Sequence, residues 1–249
     1  MNLVLFSPAE VEDPGRVCVS DARAAHLRQV LHVAPGDDVR VGIIDGAAGI
    51  GTVIHVSDQS VELRCTFDDA VPERPRVDVL LALPRPKVMR RLWAQLAALG
   101  VGQVILTNAE KVERDYFDSH VLQEAGYRPL LIEGLQQARD TRMPLVSIHK
   151  RFKVLVEDDL NALCPTDYRI VAHPGADASI AATLRGIEWT ERVVVAIGPE
   201  GGWNDFELDL LTAHGFDGVT LGPRTLATTT AAIAIVTLVH EAIRRGTSP

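Results

Sequence analysis

The sequence predicts an α/β fold built on a parallel sheet and preceded by a separate small β domain. Three observations predict it. From Val77 onward, apolar strand-like runs alternate with helix-like stretches, the rhythm of a parallel sheet. Residues 1–70 instead alternate apolar and polar residues in short pieces, as half-buried strands do. The run Val193-Val194-Val195-Ala196-Ile197 is continuously apolar and β-branched, which suits a strand covered on both faces. A chain of 249 residues with 47% hydrophobic content is long enough for two modest domains or one large one.

In chain order, Val39-Arg40-Val41 and Thr52-Val53-Ile54-His55-Val56 read as strands, with turns at Pro35-Gly36-Asp37-Asp38 and Asp45-Gly46. His26 to Leu31 reads as the helix of this part. The Asp- and Pro-rich stretch Asp68 to Pro75 marks a linker, placing the domains at 1–72 and 73–249. Beyond it come a strand Val77 to Leu83, a helix Lys87 to Leu99, a strand Val104 to Thr107, a helix Val121 to Ala138 and a strand Tyr168 to Ala172. Asn204 or Asp205 caps a helix that ends near Gly215, a strand Gly218 to Leu221 follows, and Ala231 to Ile243 is a buried helix.

The chemistry is concentrated in two loops. The strand at 193–197 stops abruptly at Gly198-Pro199-Glu200-Gly201-Gly202. Three glycines without Cβ atoms let a ligand approach the backbone, while Pro199 fixes one turn dihedral. Leu221-Gly222-Pro223-Arg224 forms a second such loop, followed by the small-residue run Ala227 to Ala232. From the glycines alone, a tight β–α turn explains the first loop as well as a binding loop does. The second loop shifts the balance toward binding. Gly-x-Gly-x-x-Gly is absent and no Gly-Lys-Ser/Thr follows, so neither dinucleotide nor P-loop mechanics is supported, and a neutral nucleoside fits better.

With these residues in view, the sequence resembles the SPOUT class of RNA methyltransferases. Within it, the resemblance is to the ribosomal small-subunit methyltransferase E family, which methylates N3 of a uridine. That family carries a Gly-Pro-Glu-Gly-Gly loop, present here at 198–202, and a Leu-Gly-x-Arg-Ile-Leu-Arg-Thr-Glu-Thr-Ala block. Positions 221–231 match it at Leu221, Gly222, Arg224, Leu226, Thr228, Thr230 and Ala231. The family's second Arg is Ala227 and its Glu is Thr229, so two charges are missing. Leu83-Pro84-Arg85-Pro86-Lys87-Val88-Met89 with Leu99-Gly100-Val101, and Glu133 to Gln137 with Arg142 and Pro144, extend the resemblance, although a family Glu is Ala98.

The resemblance implies a C-terminal α/β domain with a deep trefoil knot, a rare exception to unthreaded chains, and an N-terminal PUA-like β-barrel for RNA. It implies S-adenosylmethionine held by Ala172, His173, Ile197, Gly198, Pro199, Gly201, Gly202, Leu221, Gly222, Leu226, Thr228, Thr230 and Ala231. A homodimer in which each site borders the partner chain is implied as well.

Several classes are excluded. Cys18, Cys65 and Cys164 are far apart and form no Cys-x-x-Cys pair, so neither a disulfide framework nor a metal site is expected. Residues 1–30 lack a signal-peptide pattern, no run suits a membrane span, and a cytoplasmic location is expected.

The net charge of −8 argues mildly against nucleic acid. Residues 1–70 hold five Arg and no Lys against eleven Asp and Glu. Positive charge lies instead at Arg85, Lys87, Arg90 and Arg91, and at Arg139, Arg142, Lys150, Arg151 and Lys153. RNA is expected at these clusters, against the alternative of solvated helix faces.

Methylating uridine N3 requires loss of the imide proton while the base is held in line with the methyl donor, so positioning and charge stabilisation should carry the rate. Arg224 is the first candidate cation, with Arg142 and Arg91 next; each could instead bind phosphate. Glu200 reads as a base, as an orienting group, or as a helix-entry carboxylate. Thr228 and Thr230 offer hydroxyls to ligand or to backbone, His173 edges the pocket or is structural, and Trp203 stacks on RNA or covers a helix start. Three functions stay open: the uridine-N3 enzyme on small-subunit rRNA, a related enzyme acting on another RNA position, and a silent RNA-binding or assembly module.

Overall fold

In the computed structural model, which describes residues 1–12 and 14–245, the chain divides into two compact units. One comprises 1–74 with 131–143, the other 75–130 with 144–249. The expected division at residue 72 therefore differs: residues 131–143 return to the first unit, and 246–249 of the expected second domain lie outside the described residues.

The first unit is a five-stranded sheet in the order β1-β3-β4-β5-β2, from β1 (Val4–Phe6), β2 (Arg16–Val19), β3 (Asp38–Ile43), β4 (Ala48–Val56) and β5 (Val61–Phe67). Only β1 and β3 pair in parallel. Period-two alternation puts Val17, Val19, Val61, Leu63 and Cys65 into its core with Phe6, Val41 and Leu27. The helix α1 (Ala22–Gln29) starts four residues before the expected His26, because Asp21 caps it by accepting from Arg23 N at 2.9 Å.

The second unit is a six-stranded sheet, parallel throughout, in the order β11-β9-β10-β6-β7-β8. Its strands are β6 (Val77–Ala82), β7 (Val101–Thr107), β8 (Leu145–His149), β9 (Tyr168–Ala172), β10 (Val193–Ile197) and β11 (Phe216–Val219). Every residue of β6, β7 and β10 is buried, the signature of central strands covered on both faces. β8 has no counterpart among the expected strands, and β11 ends at Val219, two residues short of the expected Leu221.

The helix α2 (Pro86–Ala98) buries Met89, Leu92, Trp93 and Leu96, one stripe at helical spacing, and Trp93 Nε1 donates to Val121 O at 3.0 Å. The expected helix from Val121 begins as a tight turn at His120–Leu122, and α3 proper is Glu124–Ala138. Short helices α4 (Phe152–Val154) and α5 (Leu160–Leu163), joined by a π turn, and α6 (Ile180–Thr183) precede α7 (Asp205–Ala213) and α8 (Thr228–Arg245). α8 buries Ala232, Ile235, Val236 and Val239 and starts three residues before the expected Ala231.

A partly buried ion pair lies at the amino-terminal edge of this sheet. Asp78 meets Arg192 Nη1 at 2.6 and 2.8 Å, and burial still pushes the Asp78 carboxyl above the usual range. The neighbouring Cys164 thiol is pushed up to about 12 by burial and by Asp78.

Candidate active site

Ligands of parallel sheets bind outside the carboxyl ends of the strands, and here three neighbouring strands end in loops that face one cleft. From the end of β9 come Ala172 and His173; from β10, Ile197, Gly198, Pro199, Glu200 and Gly202; from beyond β11, Leu221, Gly222, Arg224 and Leu226; and from the start of α8, Thr228 and Ala231. The structure thus brings together most of the residues singled out in the sequence. Pro174, Trp203, Val219 and Thr225 complete the lining.

Each loop is shaped by local chemistry. Pro199 O accepts from Gly202 N at 2.8 Å, closing a tight turn, and Gly202 adopts φ 70°, which favours glycine. At Gly198, a Cβ would sit 3.2 Å from the Trp203 backbone nitrogen and ring, so the missing side chain lets the indole pack beneath the loop. Trp203 stacks on Phe152 at a centroid distance of 5.3 Å and is 5% exposed, the covering role weighed for it in the sequence. In the second loop, Gly222 has φ 101° and its N–H donates to Thr220 Oγ1 at 3.1 Å.

A capping box fixes the helix that follows the first loop. Asn204 Oδ1 accepts from Glu207 N at 2.8 Å, and Glu207 Oε2 accepts from Asn204 N at 2.9 Å. Glu207 is buried, and its other oxygen accepts from Glu110 N at 2.7 Å, joining the loop after β7 to the glycine loop. Lys111 adds a second tie: Nζ donates to Gly201 O at 2.8 Å. Glu200 supplies a third, its Oε1 accepting from Arg85 N at 3.2 Å.

Two expected residues fall outside this cleft. Gly201 does not line it; its carbonyl holds Lys111, and a Cβ there would meet the Lys111 stem at 2.7 Å. Thr230 is exposed on the far side of the first turn of α8 from the buried Thr228. Arg142 belongs to the first unit, where Nη1 donates to Asp45 O at 3.1 Å. Residues 131–143 return to the first unit, which no local pattern announces.

Arg85, Lys87, Arg90 and Arg91 are all exposed. The last three sit at i, i+3 and i+4 on α2, so they share one helix face. Arg224 is exposed at the mouth of the cleft. Among the described residues, no cluster of His, Cys, Asp and Glu could hold a metal ion, and no helix is long and apolar enough to cross a membrane.

Residues 72–240 match the RNA methyltransferase domain. The chain belongs to that family. Among its relatives, the ribosomal RNA small subunit methyltransferase E of Treponema pallidum is 29% identical over 247 residues, covering 96% of this chain and 90% of that protein. Ribosomal RNA small subunit methyltransferase E 1 of Borreliella burgdorferi is 27% identical over 94% of this chain and 95% of its own. Among solved structures, the small subunit methyltransferase E of Neisseria gonorrhoeae bound to S-adenosyl methionine superposes with a TM-score of 0.77 at 20% identity, over 97% of both chains. A putative methyltransferase of Legionella pneumophila, also in complex with this cofactor, gives 0.73 at 21% identity and covers 97% of both chains. These superpositions place the family member in a shared fold along nearly its whole length.

Proposed function

We propose that this protein methylates N3 of a uridine in small-subunit ribosomal RNA, with S-adenosylmethionine as donor. The observation that carries the reading is the convergence of three strand-end loops, two of them opened by glycine, on a cleft with Arg224 at its mouth. The relatives' activity on ribosomal RNA supports the choice of substrate.

The residues present fit the donor. Ile197, Leu221 and Leu226 give the cleft apolar walls suited to an uncharged base, and the glycine loops leave main-chain groups uncovered beside them. Trp203 Nε1, in the lining, is a buried donor with no hydrogen-bond partner among the described residues. When bound, S-adenosylmethionine supplies an electrophilic methyl group on a sulfonium.

The chain's own residues do the rest. The Arg224 guanidinium stabilises negative charge that grows on the uridine carbonyl oxygens as the N3 proton leaves. Glu200 orients the glycine loop through Arg85 rather than acting alone at the cleft wall. Arg85, Lys87, Arg90 and Arg91 contact RNA phosphates. In this reading the second unit is a knotted SPOUT domain and the first a PUA-like barrel. The enzyme works as a cytoplasmic homodimer.

A second reading, a related enzyme acting on another RNA position, is favoured by Ala98, Ala227 and Thr229, which stand where the resembling family has charged residues. Transfer of labelled methyl to undermethylated small subunits and to total RNA, with the product nucleoside identified by mass spectrometry, decides between them. N3-methyluridine in small-subunit RNA is expected; another nucleoside selects the second reading, and donor binding without transfer to either pool refutes both.

A further inference from the structure

The carboxyl edge of the parallel sheet carries a second cleft, of about 440 Å³, which is large enough for a nucleotide. Asn108 and Arg114 reach it from the chain after β7, Lys153 from α4, and Asn204 and Phe206 from the start of α7. The strand order locates it. The methyl-donor cleft stands over β11, β9 and β10; β6 follows, ending at Arg85 and the basic face of α2; β7, the origin of the second cleft, is next. Trp203 of the first cleft and Phe152 of the second stack on each other, so a single aromatic wall separates them.

The second cleft has the parts that single-stranded RNA requires. Phe206 is 58% exposed in the first turn of α7, a large ring left for a base to stack on. Arg114 is exposed, and Lys153 is held only at 3.7 Å from Glu157, so both can meet phosphate. Asn108 Oδ1 is a buried acceptor with no partner among the described residues, suited to the amino or imino edge of a base. Glu207 also lines the cleft, but its two carboxylate oxygens are engaged by backbone N–H groups. Glu110 leaves one exposed carboxylate at the rim, which makes the cleft a poor general anion trap and puts the weight on stacking.

We propose that this cleft binds a nucleotide of single-stranded RNA that flanks the methylated one, its base stacked on Phe206 and its phosphate met by Arg114 and Lys153. The proposal rests on the RNA methyltransferase reading and adds a subsite to it. A paired base cannot stack this way, so the target must be unpaired where it crosses the cleft.

The test uses the full-length protein, a fluorescein-labelled ten-nucleotide uridine-rich RNA and its duplex, with S-adenosylmethionine affinity measured by calorimetry in parallel. The wild type should bind the single strand better than the duplex. Phe206→Ala should weaken single-strand binding about tenfold and Phe206→Tyr should restore it, while Arg114→Ala should weaken it and lower the salt slope by about one. Donor affinity and thermal stability should not change. If both alanine variants bind the oligonucleotide as the wild type does, the subsite is refuted and the methyltransferase reading stands. Should Phe206→Ala weaken donor binding as much as RNA binding, Phe206 serves the first cleft and the proposal fails. A wild type that neither binds nor methylates RNA refutes both.

Discussion

Replacing Gly201 with alanine isolates the tie between Lys111 and the glycine loop. The new Cβ would lie 2.7 Å from Lys111 Cδ and 3.3 Å from Lys111 Cβ. Carbon atoms pack at about 3.5–4.0 Å, so the stem must move by about 1 Å. The crowded atom is a methylene of a flexible side chain, and the φ of Gly201 is outside the left-handed region, so the loop backbone can stay where it is. What is lost is the 2.8 Å bond from Lys111 Nζ to Gly201 O. A hydrogen bond to a charged group contributes about 1.5–3 kcal/mol; solvent exposure of this one reduces the expectation to about 1 kcal/mol, or about fivefold in donor affinity. Calorimetric titration of S-adenosylmethionine into wild type, Gly201→Ala, Lys111→Ala and the double variant measures it. The two substitutions should be strongly non-additive, Gly201→Ala costing less than about 0.5 kcal/mol once Lys111 has been shortened. An equal cost in both backgrounds would show that the loop does not depend on Lys111.

Other outcomes follow from the same geometry. Arg224→Ala should lower methyl transfer by about a hundredfold or more, the scale of a lost charge-stabilising donor, with donor affinity nearly unchanged; calorimetry showing lost donor binding instead would reassign Arg224. Burial lowers the pKa of His240 on α8 below its ordinary 6.5, so the unfolded chain binds the proton more readily. The stability this contributes is complete above pH 6.5 and is lost as pH falls through the lower folded value. Urea midpoints between pH 7.5 and 5 should fall for the wild type and fall less for His240→Gln. Burial pushes the Cys65 thiol up to about 11 and, with Asp78, that of Cys164 to about 12, whereas Cys18 is exposed. Maleimide at pH 7.5 should therefore add one label per native chain, at Cys18, and labelling of all three without denaturant would contradict the burial.

The elements read most closely from the sequence were those with a local cause. β9 spans the expected Tyr168 to Ala172, and α7 is capped by Asn204 and followed by Gly215 at φ 84°. β8 carries no strand signal in the sequence because Leu145–His149 is a partly exposed edge strand with no continuous apolar run. α8 starts at Thr228 rather than Ala231 because the threonines, weak helix formers, begin a helix that is held by the buried face further along.

The sequence by itself determined where strands give way to glycine-opened loops, because hydrophobic period and turn chemistry are properties of neighbouring residues. It also contained the residues that meet in the first cleft, since each loop follows its own strand. Only the tertiary structure decided which loops stand side by side, because strand order and register arise from packing between distant segments. Lys111 holds Gly201 across 90 residues of chain and Glu200 holds Arg85 across 115, contacts no local pattern encodes. The same physics returned 131–143, with Arg142, to the first unit, and brought Phe206, Arg114 and Lys153 together around a second cleft.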